Sequence, residues 1–591
     1  MTQSAPASGD WRERFAGGRL HLPRYARHAP HRCVLLTTVD GKPEVEAWDQ
    51  RTGSRRQVTD QPGGTGRYAI DPAGRWVWWF ADPERTGRGQ WRREPFSGGG
   101  RTPVGPHGRP AGLALGTHEF ALGIHHGGTT SVAFHSRRPG HERETAADFE
   151  GDRQVEQLSA DGTLLAVTDV GPLGPLRPDL RVLDTATGEV LAELPARGDA
   201  VPRPLGFAPD PGDGRLLVLS EEDGAHRLLL WNPRTGAPSE VRHGLSGDLR
   251  AEWLADGSGA LLCHSWHGRD TLHTLRFDTG TLERVPHDPG EIRDATARPD
   301  GDVEYLWSSA QQPPRVLSTH RGRLYGGTGR PPGAAVEDLW TEGPGGPVHT
   351  LLSSPAPGSA PVPTLFLLHG GPAAHERDAY DPYVSAWVAH GYRVARVNYR
   401  GSTGYGRAWR DAARGDVGHT ELADIAAVRA RLAGLGLLDE KRTLIGGSSW
   451  GGYLALLALG VQPDHWAAGF AVAPVADFAL AYEEETDRLR ALDRTLFGGS
   501  PQEVPDRYLR ASARTYAPSV RAPVLLISGT RDPRCPPAQI EAYAGDLRDA
   551  GGHLEHHRYD GGHEERRLAD LLDRITTQID FALRHCPAGP V

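Results

Sequence analysis

Lysine is almost missing from this sequence. It occurs twice, at Lys42 and Lys441, so nearly all of the 66 basic residues are arginine. Neither lysine lies in a GxxxxGK[ST] string, which excludes a Walker A phosphate loop. Cysteine is scarce too, with four scattered copies at Cys33, Cys263, Cys535 and Cys586. That is too few, and too widely spaced, for a disulfide framework or a CxxC metal site, and it fits a reducing compartment. No long apolar run exists. The longest, at 466–476, has 11 residues and contains Pro474, whereas a membrane span takes about 20. The first fifteen residues are polar and do not read as a secretory signal. An excess of positive charge is also lacking: 66 basic against 75 acidic residues give a net charge of −9, which argues against nucleic acid as a partner. The expectation is a soluble, cytoplasmic protein with no membrane partner.

Glycine and proline are abundant, at 75 and 48 of 591 residues. The chain is long enough for two to four domains, at roughly 100–200 residues each. Two textures divide it. From about residue 30 to 335, apolar runs of four or five residues are broken by Asp, Gly and Pro, as at Trp76-Val77-Trp78-Trp79-Phe80 and Leu216-Leu217-Val218-Leu219. Such lengths suit strands. A turn ending in Gly precedes a strand at Gly74, Gly162, Gly257 and Gly301, spaced 88, 95 and 44 apart, with looser matches at Gly116 and Gly214. A period near 44 with about four strands per unit is the mark of a β-propeller, and about seven blades fit. From about 345 onward, candidate strands at 364–368, 392–398, 443–447, 466–472, 523–528 and 554–558 alternate with helical patterns at 421–432 and 567–583. Near-continuous apolar strands between helices predict a doubly wound, mostly parallel sheet. The expected organisation is an N-terminal extension over 1–29, packing on the hydrolase domain, an all-β seven-bladed β-propeller over 30–340, and an α/β-hydrolase domain over 341–591.

The strongest chemical signal is Gly447-Ser448-Ser449-Trp450-Gly451 between an apolar strand and a helical run. This is the strand–turn–helix setting of the G-x-S-x-G nucleophile elbow. Only Ser449 has glycine at both flanking positions. A serine hydroxyl needs a base to become nucleophilic at neutral pH. In the order that such hydrolases use, Asp532 follows the strand 523–528 and His563 follows the strand 554–558 in a Gly-rich loop. The rivals His553, His556 and His557 lie before or within the last strand, and Asp560 is too near the histidine in sequence to sit behind its ring. His369-Gly370-Gly371-Pro372 ends the first strand with bare backbone. An oxyanion hole is therefore expected from the amides of Gly371 and Trp450, with His369 as a structural turn residue. Four His-Glu pairs occur, none continuing to HExxH, so no metal and no cofactor is expected.

HGGP, Asn398-Tyr399-Arg400-Gly401-Ser402-Thr403-Gly404-Tyr405-Gly406, GxSxGGY, Gly529-Thr530-Arg531-Asp532-Pro533-Arg534-Cys535-Pro536 and a late Gly-His follow in that order. With a propeller ahead of them, they resemble the prolyl oligopeptidase family of serine peptidases (S9), most closely its acylaminoacyl-peptidase branch. The resemblance implies hydrolysis of short or N-blocked peptides, with the propeller excluding folded proteins. It also implies a substrate-carboxylate contact at the position of Arg534. A homo-oligomer is compatible with it. Two departures stand out: Trp450 replaces a common Tyr, and His563-Glu564-Glu565-Arg566-Arg567 lacks the apolar residue that commonly follows Gly-His. The family's dipeptidyl peptidases hold an amine with paired glutamates, but Glu221-Glu222 reads as a solvated turn and Glu483-Glu484-Glu485 as a charged helix face. Other readings are an esterase, a tailoring peptidase or cyclase for a natural-product peptide, and, outside enzymes, a propeller scaffold with an idle hydrolase domain.

Overall fold

The computed structural model describes residues 10–15, 19–84, 86–138, 141–170, 174–222, 224–355, 361–563 and 567–588. Between residues 24 and 326 it consists of strands joined in sequence order. Four sheets of four strands cover 24–57, 203–241, 248–285 and 291–326, and a sheet of eleven strands covers 68–194. Within the larger sheet, the 14-residue strand Thr102–Leu115 serves three neighbours, its Gly112 pairing with Val155 of Arg153–Leu158. Its first half pairs with Gly89–Pro95 and its second with Glu119–His126.

Strand alternation makes these sheets stack. Successive side chains point to opposite faces, so each strand feeds two apolar layers. Trp79 and Val77 pack towards the preceding sheet with Val34, Val45 and Ala47. Trp78 and Phe80 pack towards the next with Phe120, Leu122 and Ile124. The relay continues: Leu164 and Ala166 meet Leu216 and Val218, Leu217 and Leu219 meet Ala260 and Leu262, and Leu261 and Cys263 meet Val303 and Tyr305. It closes on itself. Leu22 packs with Leu306 and Val316, and Tyr25 donates to the wholly buried Glu304 at 2.5 Å. The Arg298 guanidinium lies over the Tyr25 ring and donates to the Pro30 carbonyl at 2.6 Å. The sheets therefore form a closed ring.

The second half forms one eight-stranded sheet. Its strands are β1 (Glu337–Gly343), β2 (Gly346–Ser353), β3 (Val362–Leu368), β4 (Arg393–Asn398), β5 (Leu438–Ser448), β6 (Ala468–Val472), β7 (Val524–Gly529) and β8 (Leu554–Tyr559). The order is β1-β2-β4-β3-β5-β6-β7-β8. β1 and β2 are antiparallel to their neighbours, and β4, β3 and β5 to β8 run parallel. Both faces are covered, as a mostly parallel sheet requires. Phe366, Leu368, Ile445 and Leu526 face one core with the helices His419–Gly434, Trp450–Val461 and Pro537–Asp549. Leu365, Leu367, Leu444 and Ile527 face the other with Pro382–Ala389 and Leu568–His585. Trp11, 3% exposed, joins that second core.

Polar contacts join ring and sheet. Glu221, from the ring, pairs with Arg410 at 2.8 Å, and Arg407 pairs with Asp199. Gly404 donates to Asp248 at 2.8 Å while its carbonyl accepts from the His267 amide at 3.0 Å. Glu221 is thus a partner across the two halves, which corrects its reading as a solvated turn residue. Strand pairing also moves the expected boundaries: Arg24–Ala26, inside 1–29, is already a ring strand, and β1 starts at Glu337, before 341. Among the described residues, no helix is long and apolar enough to cross a membrane.

Glu304 collects Tyr25, Arg298 and Arg321 at the closure. Removing a buried charged partner leaves the others uncompensated and typically costs about 3–5 kcal/mol. Glu304→Ala should lower the urea midpoint of unfolding, followed by tryptophan fluorescence, by a stability loss of that size. An unchanged midpoint would show that the closure does not depend on this carboxylate.

Candidate active site

The candidate residues gather at the C-terminal ends of β3, β5, β7 and β8, where ligand sites of open α/β sheets form. β5 ends at Ser448, and Ser449 follows with φ 56° and ψ −119° before the helix Trp450–Val461 begins. A non-glycine residue with positive φ is uncommon and strained. Close packing holds it there. A Cβ on Gly451 would lie 2.0 Å from the Leu368 carbonyl oxygen, and one on Gly447 would lie 2.6 Å from the same oxygen. The elbow therefore requires glycine at both places. Ser449 is partly buried; Ser448 is exposed.

Asp532 is 3% exposed and uses both carboxylate oxygens. Oδ1 accepts the amides of Arg534 and Cys535 at 2.8 and 3.0 Å. Oδ2 accepts from His563 Nδ1 at 2.7 Å. The backbone amides fix the carboxylate, and the carboxylate fixes the imidazole with its proton on Nδ1, so that Nε2 keeps its lone pair. The histidine loop is tied to the end of β7. Thr530 and Arg531 donate to the carbonyls of Tyr559 and Gly561 at 3.0 and 2.9 Å, and Tyr559 Oη donates to the Gly562 carbonyl at 2.9 Å. Glu564, Glu565 and Arg566 lie outside the described residues. Of the rivals, Asp560 faces Arg531 at 3.0 Å on the surface, and His556 bonds Ser528 at 2.9 Å. Burial holds His556 neutral, its pKa lowered to about 4.

Cys535 was not singled out as a site residue by the sequence, yet it stands between these groups. Its thiol lies near the Ser449 side chain. Ligand atoms of Asp532, Cys535 and His563 all lie within 4.8 Å of one another. Burial, reinforced by the Asp532 charge, pushes the thiol pKa up, so Cys535 stays protonated and unreactive at neutral pH. Cys535 thus lies close both to Ser449 and to the Asp532–His563 pair.

The Gly370–Gly371 loop runs beside the elbow. A Cβ on Gly370 would lie 3.7 Å from Ser449 Cβ, and Gly371 has φ 145°. His369 supports this loop: its Nε2 meets Ser402 Oγ at 2.9 Å, and its ring stacks on Tyr399 at 4.3 Å. Burial lowers its pKa to about 4, so it remains neutral. Trp450 is the first residue of its helix, and its amide has no intrahelical acceptor. Arg534 lies exposed on the Asp532 loop.

An aromatic wall continues from Trp450 through Phe478, Phe497 and Tyr508, with ring separations of 6.0, 5.1 and 4.2 Å. Behind it sits an acid pair. Glu485 and Asp493 are 6% and 5% exposed, and one oxygen of each is buried without a hydrogen-bond partner. Glu483 and Glu484 face solvent as a charged face would, but Glu485 does not, which corrects that reading. Burial raises the pKa of Glu485, and burial together with the Glu485 charge raises that of Asp493. A carboxylate with a raised folded pKa leaves the folded state holding a proton that the unfolded chain releases near pH 4. The contribution to stability is therefore greatest in acid and falls as pH climbs towards the raised values. Urea unfolding of the wild type should show stability declining between pH 5 and 8, and Asp493→Asn should flatten that decline. Parallel slopes for the two proteins would assign the decline to other groups.

Residues 379–587 match the model of the prolyl oligopeptidase family. Dipeptidyl peptidase family member 6 of Caenorhabditis elegans is 26% identical over 39% of this chain and 32% of its own length. Acylamino-acid-releasing enzyme 1 of rice is 24% identical over 58% of this chain and 48% of its own. The aligned part of the chain thus spans between a third and a half of these curated relatives. In fold the likeness extends over nearly the whole chain. The acylaminoacyl peptidase of Pyrococcus horikoshii superposes with a TM-score of 0.79 at 17% identity, over 98% of this chain and 97% of that one. A puromycin-hydrolyzing peptidase of Mycobacterium tuberculosis gives 0.79 at 20% identity, over 99% and 96%. A propeller joined to an α/β-hydrolase domain is therefore the architecture, and residues 379–587 are similar to the prolyl oligopeptidase family of serine peptidases, with acylaminoacyl peptidases among the structural neighbours of the chain.

Proposed function

We propose that this protein is a serine peptidase that hydrolyses short or N-blocked peptides through an acyl-enzyme. The observation that carries the reading is the buried Asp532–His563 hydrogen bond, which prepares Nε2 as a base beside the strained Ser449 elbow. In this reading the Ser449 hydroxyl turns to His563, gives up its proton to Nε2 and attacks the substrate carbonyl. Catalytic hydrogen bonds of free enzymes are often unformed until substrate binds. The amides of Gly371 and Trp450 receive the oxyanion. His563 then protonates the leaving amine, and water releases the acyl group by the same path.

The ring restricts access, so substrates are oligopeptides and not folded proteins. Counting the strand Thr102–Leu115 twice resolves the eleven-stranded sheet into three units of four and gives seven blades with the other four sheets. The propeller then runs from about residue 24 to 326 and the hydrolase domain from 337 onward, with Trp11 packed on the latter. Four buried free cysteines suit the cytoplasm.

Arg534 is proposed to hold a substrate carboxylate. Two experiments test these assignments. A fluorophosphonate probe should label the wild type and Ser448→Ala but not Ser449→Ala, read by intact mass; labelling that survives in Ser449→Ala would reject the nucleophile. A hydrogen bond to a charged group contributes about 1.5–3 kcal/mol. Arg534→Ala should therefore reduce kcat/KM for peptides with a nearby free carboxylate by roughly 10- to 100-fold and leave amidated ones unchanged. Equal losses on both would remove Arg534 from carboxylate recognition.

A further inference from the structure

On the edge of the hydrolase sheet, away from the elbow, three metal-ligating side chains converge. His553 immediately precedes β8 and Glu555 is its second residue. Strand alternation places both on one face. His585 ends the last helix, Leu568–His585, and the fold brings that end against the same face. Ligand atoms of His553, Glu555 and His585 lie within 4.8 Å of one another. Glu555 Oε1 is the centre: His585 Nε2 is 3.6 Å from it and His553 Nε2 is 3.9 Å from it. These separations are too long for hydrogen bonds. They are close to those in a tetrahedral zinc site, where bonds of about 2.0–2.2 Å set neighbouring ligand atoms roughly 3.3–3.6 Å apart.

The three groups are already oriented. Arg584 donates to both Glu555 oxygens, at 2.9 and 2.7 Å, and so fixes the carboxylate plane. Phe581 packs on the His585 ring with centroids 4.7 Å apart. The two imidazoles meet edge to face at 5.2 Å. The His553 carbonyl is tied to the Val524 amide at 2.9 Å. His585 Nε2 is buried and has no hydrogen-bond partner among the described residues, an unsatisfied acceptor or donor that ordinarily costs stability. The half-exposed His553 leaves a coordination position open to water.

We infer that His553, Glu555 and His585 form a binding site for a divalent ion of the zinc class. Two imidazoles and one carboxylate suit borderline ions such as Zn2+ and Co2+ and not Mg2+ or Ca2+, which prefer all-oxygen sites. Arg584, bonded to both oxygens, holds the carboxylate in orientation. The ion would join the start of β8 to the end of the last helix. These are the two ends of the segment that carries His563, so occupancy would clamp that segment without entering the catalytic centre. The inference does not depend on the proposed peptidase activity.

Cobalt titration of the full chain, followed by visible absorption, tests it. The wild type should bind one equivalent with the d–d bands of a nitrogen and oxygen site. His553→Ala and Glu555→Gln should each lose that equivalent, and Cys535→Ala should keep it. His553 is more than half exposed, so its replacement leaves the fold intact. Zinc should slow amide hydrogen exchange in 554–559 and 568–585 of the wild type but not of His553→Ala. No bound equivalent in the wild type, equal binding by His553→Ala, or a thiolate-to-cobalt charge-transfer band that vanishes in Cys535→Ala would each overturn the assignment.

Discussion

The arrangement of the site rests on the two oxygens of Asp532. One is held by amides of its own loop and the other holds the histidine. A carboxylate free to rotate could not select one imidazole tautomer. Here the backbone makes that selection in advance, because the loop after β7 folds back on its own aspartate. The arrangement also explains the glycine that ends β7. A Cβ on Gly529 would lie 2.5 Å from the Gly562 carbonyl oxygen, so the two loops approach closely only with bare backbone. Around this bond the elbow, the Gly370–Gly371 loop and the aromatic wall occupy neighbouring strand ends of one sheet.

Much of this was legible in the sequence because it depends on local rules. The strand predicted at 364–368 proves to be Val362–Leu368, and the helix at 421–432 proves to be His419–Gly434. Runs of apolar residues with a fixed period survive any tertiary context. The elbow was legible because its G-x-S-x-G string is local in the sequence, although the carbonyl that demands its glycines comes from Leu368 in β3. What escaped was set by partners far away in the chain. β1 and β2 mix polar and apolar residues and are missing from the predicted strands; in the structure Trp340 and His349 face each other across their hairpin. Glu485 looks like its neighbours Glu483 and Glu484, and only the packing of Tyr482, Phe497 and Tyr508 turns it inward. Cys535 carries no motif of its own; its place beside Ser449 follows from the turn that Asp532 organises. Glu221 gains its role from Arg410, 189 residues later.

The two halves of the molecule use charge differently. In the hydrolase half the buried ionisable groups pair on strands and helices alike, Arg396 with Glu376 and Asp424 with Arg400 among them. In the ring, arginines also stack on aromatic faces beside the aliphatic layers. Arg93 lies over Trp76 and Trp78, Arg153 over Phe149, and Arg298 over Tyr25. A planar guanidinium stacks on aromatic faces and forks onto carboxylates, and lysine can do neither as well. The near absence of lysine is thus compatible with a ring whose sheets are joined by flat cations.

The long strand Thr102–Leu115 has a mechanical consequence. It is hydrogen-bonded on both sides to different neighbours, so the joint it spans cannot widen without breaking main-chain bonds. Among the described residues, no main-chain to main-chain hydrogen bond joins the first and last sheets, whose contact is made through side chains, Tyr25, Arg298 and Glu304 among them. The ring therefore has a hinge side and a clasp side, and strain applied to it would be released at the clasp.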